Sequence, residues 1–275
     1  MNSEPVVDSV RRSIGRDVSR FDELFLARTV ARRLAVVGAA DAEAYQRRLD
    51  TDQREAESLW DSLLVSHSEF FREPLEFALL EEVVLPELIR HTKRAGQREL
   101  RVWSAGCAAG QEPYSLAILL DALTARSETD IGFRIFATDV SEANLAAARS
   151  GVYHEAAVQN VRLRHLHSWF SRQGNSYALA SRLRERVSFS AYDLLDERTA
   201  SPPACIFGDF DLIVCGNVMF YYREQWRQTI LGKILRNLRP GGYFATSGTE
   251  REMVQSTGWF RLVAPPAAVF ERPGR

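Results

Sequence analysis

The feature that most constrains the fold is an alternation of short apolar strands and amphipathic helices that begins near residue 98. Strands joined through helices pair in parallel, and the helices then cover the faces of the sheet. The sequence therefore predicts an α/β fold with a mostly parallel sheet. The predicted strands are 100–105, 133–138, 187–192, 211–215 and 243–246, and the predicted helices are 113–125, 142–149 and 222–238.

Two later segments depart from this alternation. Pro265 and Pro266 separate the apolar runs 260–263 and 268–271, which predicts a terminal hairpin that adds an antiparallel strand. The stretch from Gly151 to Arg186 carries a turn signal between two apolar runs, and it predicts a small inserted β-hairpin at about 158–186.

The sequence pattern changes near residue 66. The part before it is helical in pattern and rich in arginine, which predicts a small all-α domain over residues 1–65. The second domain then covers residues 66–275 and contains the inserted hairpin. The apolar residues predicted to line one helix face recur at helical spacing and are Leu24, Ala27, Ala31 and Leu34.

Composition excludes several classes of protein. Of the 275 residues, 45% are apolar and 26% are charged, as in ordinary globular proteins, so a disordered or low-complexity chain is excluded. The formal net charge of −1 gives no basic excess of the kind that nucleic-acid-binding proteins show. Three scattered cysteines fit a reducing compartment. With no secretory signal and no apolar run long enough to span a membrane, we expect a cytoplasmic location without membrane insertion.

A glycine turn follows the first predicted strand. Gly106 and Gly110 lack the Cβ atoms that would keep a ligand from the backbone, and ligands of doubly wound sheets bind at this edge. A tight structural turn between strand and helix explains the spacing equally well. The turn differs from the dinucleotide-binding pattern and lacks the lysine of a phosphate-binding loop, which argues against a nucleoside triphosphate.

Polar residues follow two further strands. Asp139 could accept both hydroxyls of an adenosine ribose, or it could cap the next helix. Together with the glycine turn, the ribose interpretation is the better one. Asn217 precedes an aromatic cluster, Phe220–Tyr222, which indicates a site, although some of these rings could simply be core. The segment Phe70–Arg72 could likewise belong to a site, or it could form a hydrophobic hinge.

Taken together, these segments resemble the CheR-type chemotaxis receptor methyltransferases, a family of protein-glutamate O-methyltransferases. The resemblance runs in order from about residue 21 to the C-terminus. It implies a Rossmann-like S-adenosylmethionine-dependent methyltransferase sheet and a chemoreceptor-like acceptor. The matching segments are Phe70–Arg72, Trp103–Ser115, Ala137–Asp139, Ala148–Tyr153, Asp193–Leu195, Cys215–Tyr222 and Leu238–Gly242.

The resemblance also implies roles for single residues. Arg72 would orient the acceptor carboxylate and Tyr221 would line the methyl path, and no metal is needed. A glutamate acceptor is already ionised at neutral pH, since its ordinary pKa is about 4.3, so it can attack the sulfonium methyl directly. The cofactor contacts implied are Ser66, Ser68, Arg72, Ala105, Glu112, Asp139, Asp193, Leu194 and Asn217.

Three positions depart from the family pattern. Gly216 stands where the family usually has arginine, and the loss of a charge-assisted contact of about 1.5–3 kcal/mol would slow the reaction by about one to two orders of magnitude. Asp193 replaces asparagine, and Gln111 replaces glutamate. A small arginine cluster, which a solvated helix face would explain equally simply, is a candidate docking face for an acidic receptor bundle; it consists of Arg28, Arg32, Arg33, Arg47 and Arg48.

Two other functions stay open on the sequence alone. A methyltransferase of this fold could act on a different acceptor, because Gly216 removes a partner for a carboxylate. A cofactor-binding adaptor without catalysis could dock a partner through the helical domain or the inserted hairpin. We expect a monomer, since no long apolar stripe is left over.

Overall fold

The computed structural model describes residues 4–126, 130–205 and 208–274. The chain forms two compact units. The first contains Met1–Val65 together with Val218–Gln228, and the second contains Ser66–Asn217 together with Thr229–Arg275. The segment Val218–Gln228, which the sequence pattern assigns to the sheet domain, thus clusters with the N-terminal helices.

The first unit is built from four helices, α1 (Glu4–Ile14), α2 (Glu23–Val37), α3 (Ala42–Thr51) and α4 (Gln53–Leu63). Aspartates cap the last three, because their carboxylates accept the backbone N–H groups that the first helical turn leaves free. The buried core of the unit includes Leu26, Val30, Tyr45, Leu49 and Leu59.

The predicted apolar stripe on α2 is wrong at Ala31, which is exposed, and at Leu24. That side chain is 68% exposed, whereas Leu26 and Val30 on another face are buried. Apolar residues surround much of this helix, so the partner helices decide which face is buried, and the spacing alone does not.

The second unit alternates helices and strands. Its helices are α5 (Pro74–Leu79), α6 (Leu85–Arg94), α7 (Gln111–Arg126), α8 (Glu142–Ser150), α9 (Leu163–Trp169), α10 (Ser181–Arg184), α11 (Glu224–Asn237), whose first turn belongs to the first unit, and α12 (Arg251–Gln255). Its strands are β1 (Glu99–Ala105), β2 (Gly132–Asp139), β3 (Val152–His154), β4 (Phe170–Gln173), β5 (Ser176–Leu179), β6 (Val187–Ala191), β7 (Phe210–Val214), β8 (Leu238–Ala245), β9 (Arg261–Leu262) and β10 (Val269–Glu271).

The main sheet has seven strands in the order β6-β2-β1-β7-β8-β10-β9. The first five are parallel, and β10 and β9 add an antiparallel pair at the edge. The predicted fold class, a parallel sheet with a terminal hairpin, is confirmed. The chain order reverses between β1 and β7, and in such sheets ligands bind at the carboxyl ends of the strands beside this reversal.

A second, three-stranded antiparallel sheet has the order β3-β5-β4. Strands β4 and β5 form the inserted hairpin that the sequence predicts, and β3 is an additional strand outside the predicted interval. The Phe70 ring packs edge-on against Tyr153 and Phe170, at centroid distances of 4.9 and 5.5 Å, so this sheet shares the core of the second unit.

Among the residues that the structure describes, no helix is both long and apolar enough to cross a membrane.

Candidate functional site

The glycine turn joins β1 to α7 beside the chain reversal. Gly106 has a φ of 79°, in the left-handed region that favours glycine. The N–H groups of Gly106 and Cys107 both donate to the carbonyl of Thr138, at 2.8 and 2.9 Å. The turn is therefore fixed to the end of the neighbouring strand before any ligand binds.

Gly110 has a different role from the one that the ligand interpretation assigns. Its φ is 92°, and an added Cβ would lie 2.8 Å from the Ala148 Cβ and 3.0 Å from the Tyr153 hydroxyl. That hydroxyl donates to the Ala109 carbonyl at 2.8 Å. The close packing of α8 and the second sheet against the turn explains this glycine, so the structural interpretation holds here.

Asp139 ends β2 and closes the other side of the turn. Its Oδ2 accepts the Ala108 N–H at 2.9 Å, and its Oδ1 accepts the Ser141 N–H at 2.9 Å. The helix cap itself is Ser141, whose hydroxyl accepts the Asn144 N–H. Two carboxylate oxygens offer about four acceptor positions, so Asp139 keeps capacity for a ligand hydroxyl.

Glu112 lies in the first turn of α7 and is only partly exposed. Its Oε1 accepts the Ser104 hydroxyl at 2.7 Å, and the Gly216 backbone N–H also binds the carboxylate. Burial, aided by the nearby charge of Glu250, raises the pKa of Glu112 to about 7, although these hydrogen bonds and Arg72 act in the opposite direction. The site therefore contains a carboxylate that favours a cationic partner.

The second unit begins with the segment Ser66–Arg72. Phe71 has a φ of 54°, which is strained for a residue with a side chain. Its N–H donates to the Ser115 hydroxyl at 3.0 Å, so α7 holds this turn in place. The Arg72 guanidinium donates to the His67 carbonyl at 2.8 Å, and its charge lowers the pKa of Glu112. Ser66 is exposed, and Ser68 is partly exposed.

The loop after β7 carries Gly216 and Asn217. Gly216 has no positive φ, and a Cβ there would lie 3.4 Å from Glu112 Oε2, so glycine is not required by the backbone. Asn217 has a φ of 61°, and its N–H donates to Glu250 Oε2 at 3.0 Å. Neither the Glu250 carboxylate nor its contact with this loop is part of the sequence prediction.

The remaining predicted residues fall into two groups. Ala105 ends β1 in the buried core, and the Tyr192 N–H donates to the Asp139 carbonyl at 3.0 Å, which places Asp193 and Leu194 beside the end of β2. Tyr221, by contrast, belongs to the first unit, where its ring lies 4.8 Å from that of Phe25.

The site therefore assembles most of the predicted residues at one sheet edge. Among the described residues, its charged groups include the carboxylates of Asp139, Glu112, Glu250 and Asp193 and the guanidinium of Arg72. This donor set fits S-adenosylmethionine, because hydroxyl acceptors suit the ribose and carboxylates suit the positive sulfonium and ammonium groups. Over the described ranges 4–126, 130–205 and 208–274, no group of three or more histidine, cysteine, aspartate or glutamate side chains could hold a metal ion.

Sequence reasoning missed three residues of this edge. Ser104 and Ser115 are buried serines whose hydroxyls bind Glu112 and Phe71. Asp139 ends β2, but Glu250 lies five residues beyond the end of β8, so the rule that identified Asp139, an acidic residue at the end of a strand, does not extend to it.

The chain is similar in sequence to several known proteins. Chemotaxis protein methyltransferase 1 of Pseudomonas aeruginosa is 35% identical over 198 residues, 70% of this chain and 69% of its own length. The probable biofilm formation methyltransferase WspC of the same organism is 28% identical over 266 residues, 96% of this chain and 60% of its own. An uncharacterized 104.1 kDa protein of Rhodobacter capsulatus is 31% identical over 249 residues, and the chain spans 25% of its length.

The family match covers most of the second unit. Residues 66–269 match the family described as CheR methyltransferase, SAM binding domain, which is well over half of the chain. The match contains the glycine turn, Asp139, Glu112 and Asn217. The chain therefore belongs to the CheR methyltransferase family and carries its S-adenosylmethionine-binding domain.

Proposed function

We propose that this protein transfers the methyl group of S-adenosylmethionine to glutamate side-chain carboxylates of a chemoreceptor-like signalling protein, which forms methyl esters. The names of the chemotaxis methyltransferases among its relatives support this acceptor. We further propose that it works as a cytoplasmic monomer. The three cysteines are buried and form no disulfide, which is consistent with a reducing compartment.

The cofactor site that we propose uses the residues at the carboxyl edge of the main sheet. Asp139 would accept the ribose hydroxyls, and Glu112 would attract the positive charge. Bound there, the cofactor supplies an activated methyl group on a sulfonium. The complete set that we propose for the cofactor is Ser66, Ser68, Arg72, Ala105, Glu112, Asp139, Asp193, Leu194 and Asn217.

The observation that carries the choice of acceptor is a guanidinium close to the Glu112 carboxylate. Arg72 is partly exposed, sits on a turn that Ser115 holds, and acts electrostatically on Glu112. A guanidinium in this position can orient an acceptor carboxylate by charge-assisted hydrogen bonds. Because an ionised carboxylate needs no general base, the protein contributes positioning and electrostatics.

The exposed face of α2 supports docking of an acidic helical partner. Leu24, Arg28, Arg32 and Val36 recur every four residues and are all exposed, which forms one mixed stripe of charge and apolar surface. Arg33 is not part of it, because its guanidinium pairs with the buried Glu55 carboxylate at 2.5 Å.

The test is methyl transfer from labelled S-adenosylmethionine to purified receptor signalling domains. We expect label that mild alkali releases as methanol, since a carboxylate methyl ester hydrolyses and an N-methyl group does not. Receptors whose candidate glutamates are changed to glutamine should accept no label. Label that survives alkali would refute the proposed acceptor.

Two variants separate the roles of the residues. Arg72→Ala should reduce transfer by about one to two orders of magnitude, the loss of a charge-assisted contact. The double variant Arg28→Glu, Arg32→Glu should raise KM for the receptor and leave cofactor binding unchanged. The matched control is Arg54→Glu, which reverses an exposed charge on α4, outside the arginine cluster.

Gly216 favours a second acceptor class. Neither backbone conformation nor space requires a glycine there, so the missing side chain leaves room beside Glu112. An acceptor with an uncharged nucleophile, such as a deprotonated amine, would need no second guanidinium. Transfer to a non-receptor protein with alkali-stable label would support this alternative.

A further inference from the structure

Asn217 adopts a backbone conformation that needs support. Its φ of 61° is left-handed, and residues with a Cβ pay a steric cost there, although asparagine tolerates it better than most. The neighbouring residue Gly216 lies against Glu112. A change in the φ of Asn217 would therefore move the wall of the proposed cofactor site.

Glu250 supplies that support. Its side chain is fully buried, and its Oε2 accepts the Asn217 N–H at 3.0 Å and the Ser247 hydroxyl at 3.1 Å. The Thr246 hydroxyl lies 2.5 Å from the same oxygen and 2.7 Å from the Cys215 carbonyl. One carboxylate thus joins the loop after β7 to the loop after β8.

We propose that Glu250 is a positioning residue of the methyltransferase site, which holds Asn217 in its left-handed conformation beside the cofactor. The inference rests on the proposed cofactor contact of Asn217. Glu250 acts through this backbone and is not itself assigned to the cofactor or the acceptor.

The position of Glu250 gives it an electrostatic signature that a purely structural residue would lack. The charged groups that act on Glu112 are Glu250 and Arg72, and the buried thiols of Cys107 and Cys215 lie within the field of Glu112. Glu250 raises the pKa of Glu112. Neutralising Glu250 should therefore let Glu112 ionise at lower pH, and the pH at which cofactor affinity rises should fall.

The test is calorimetric titration of S-adenosylmethionine between about pH 5.5 and 8.5. For Glu250→Gln we expect affinity about tenfold weaker at pH 8 and a midpoint of the pH dependence below that of the wild type. Ser247→Ala, which removes one donor to Glu250 and keeps the carboxylate, should weaken affinity two- to fivefold with the midpoint unchanged. The matched control is Glu76→Gln, since Glu76 is also buried but accepts a different backbone N–H, that of Ala268.

The outcomes separate the two proposals. Wild-type affinity in Asn217→Ala would overturn the cofactor contact of Asn217. Weak binding in Asn217→Ala, with wild-type affinity and midpoint in Glu250→Gln, would overturn the positioning role of Glu250 alone. If Glu250→Gln does not fold, as thermal unfolding would show, wild-type affinity in the folded Ser247→Ala protein overturns it instead.

Discussion

Replacing Glu112 by glutamine should make the free protein more stable and its cofactor binding weaker. The carboxylate is held by Ser104 and the Gly216 N–H, yet burial still raises its pKa from 4.5 to about 7. The folded state therefore binds a proton more tightly than the unfolded state. By linkage, this group makes the stability of the protein fall as the pH rises from about 4.5 to 7.

The size of the effect follows from the pKa change. At about 1.36 kcal/mol for each pKa unit, a rise from 4.5 to about 7 corresponds to about 3 kcal/mol, and solvent screening of a partly exposed side chain reduces this to about 1–3 kcal/mol. Glutamine keeps the shape and an acceptor oxygen for Ser104 but carries no charge. Glu112→Gln should thus raise the free energy of unfolding by about 1–3 kcal/mol at pH 8 and by much less at pH 5.

Two measurements check the argument about Glu112. Urea unfolding of wild type and Glu112→Gln at pH 5 and pH 8 gives the difference in stability at each pH. Titration with S-adenosylmethionine at pH 8 should show affinity about 10–100-fold weaker in the variant, the loss of a charge-assisted contact. A variant whose gain in stability is the same at both pH values would refute the raised pKa. Unchanged affinity would refute the proposed contact with the cofactor.

Three further changes test other features of the two units. Gly110→Ala should destabilise the protein by about 1–3 kcal/mol, because φ is 92° and the new Cβ would lie 2.8 Å from Ala148, and thermal unfolding would show a lower Tm. Gly216→Arg should lower the pKa of Glu112, so the pH at which cofactor affinity rises should fall. An unchanged pH profile of cofactor affinity in calorimetry would show that a side chain at position 216 does not lie close to the Glu112 carboxylate. Glu55→Gln should cost about 3–5 kcal/mol by leaving a half-buried guanidinium without its ion pair, and a loss of stability below about 1 kcal/mol in urea would contradict this assignment.

The sheet could be predicted from the sequence because its strands are local and apolar. Most residues of β1, β2 and β7 are buried, so each strand reads as a short, mostly apolar run, and the helices between them impose parallel pairing. The stripe on α2 could not be predicted in the same way. Two faces of that helix carry apolar residues at the same spacing, and only packing against the other helices selects Leu26 over Leu24.

In the candidate site, too, the local sequence indicates some residues and gives no sign of others. Asp139 was found because its position after a strand is visible in the local sequence. The contact between Asn217 and Glu250 joins residues 33 positions apart, and the ends of two neighbouring strands bring them together. The pKa of Glu112 likewise depends on burial and on charges from distant segments, so no local pattern could indicate it.

The hydrogen bond from Tyr153 to the Ala109 carbonyl has a consequence for how the protein can vary. The inner surface of the three-stranded sheet holds the glycine turn in place, because Tyr153 binds the turn and packs against Phe70. Most side chains of β4, by contrast, are exposed to solvent. The exposed surface of this sheet can therefore be changed in engineered variants while the glycine turn keeps its geometry.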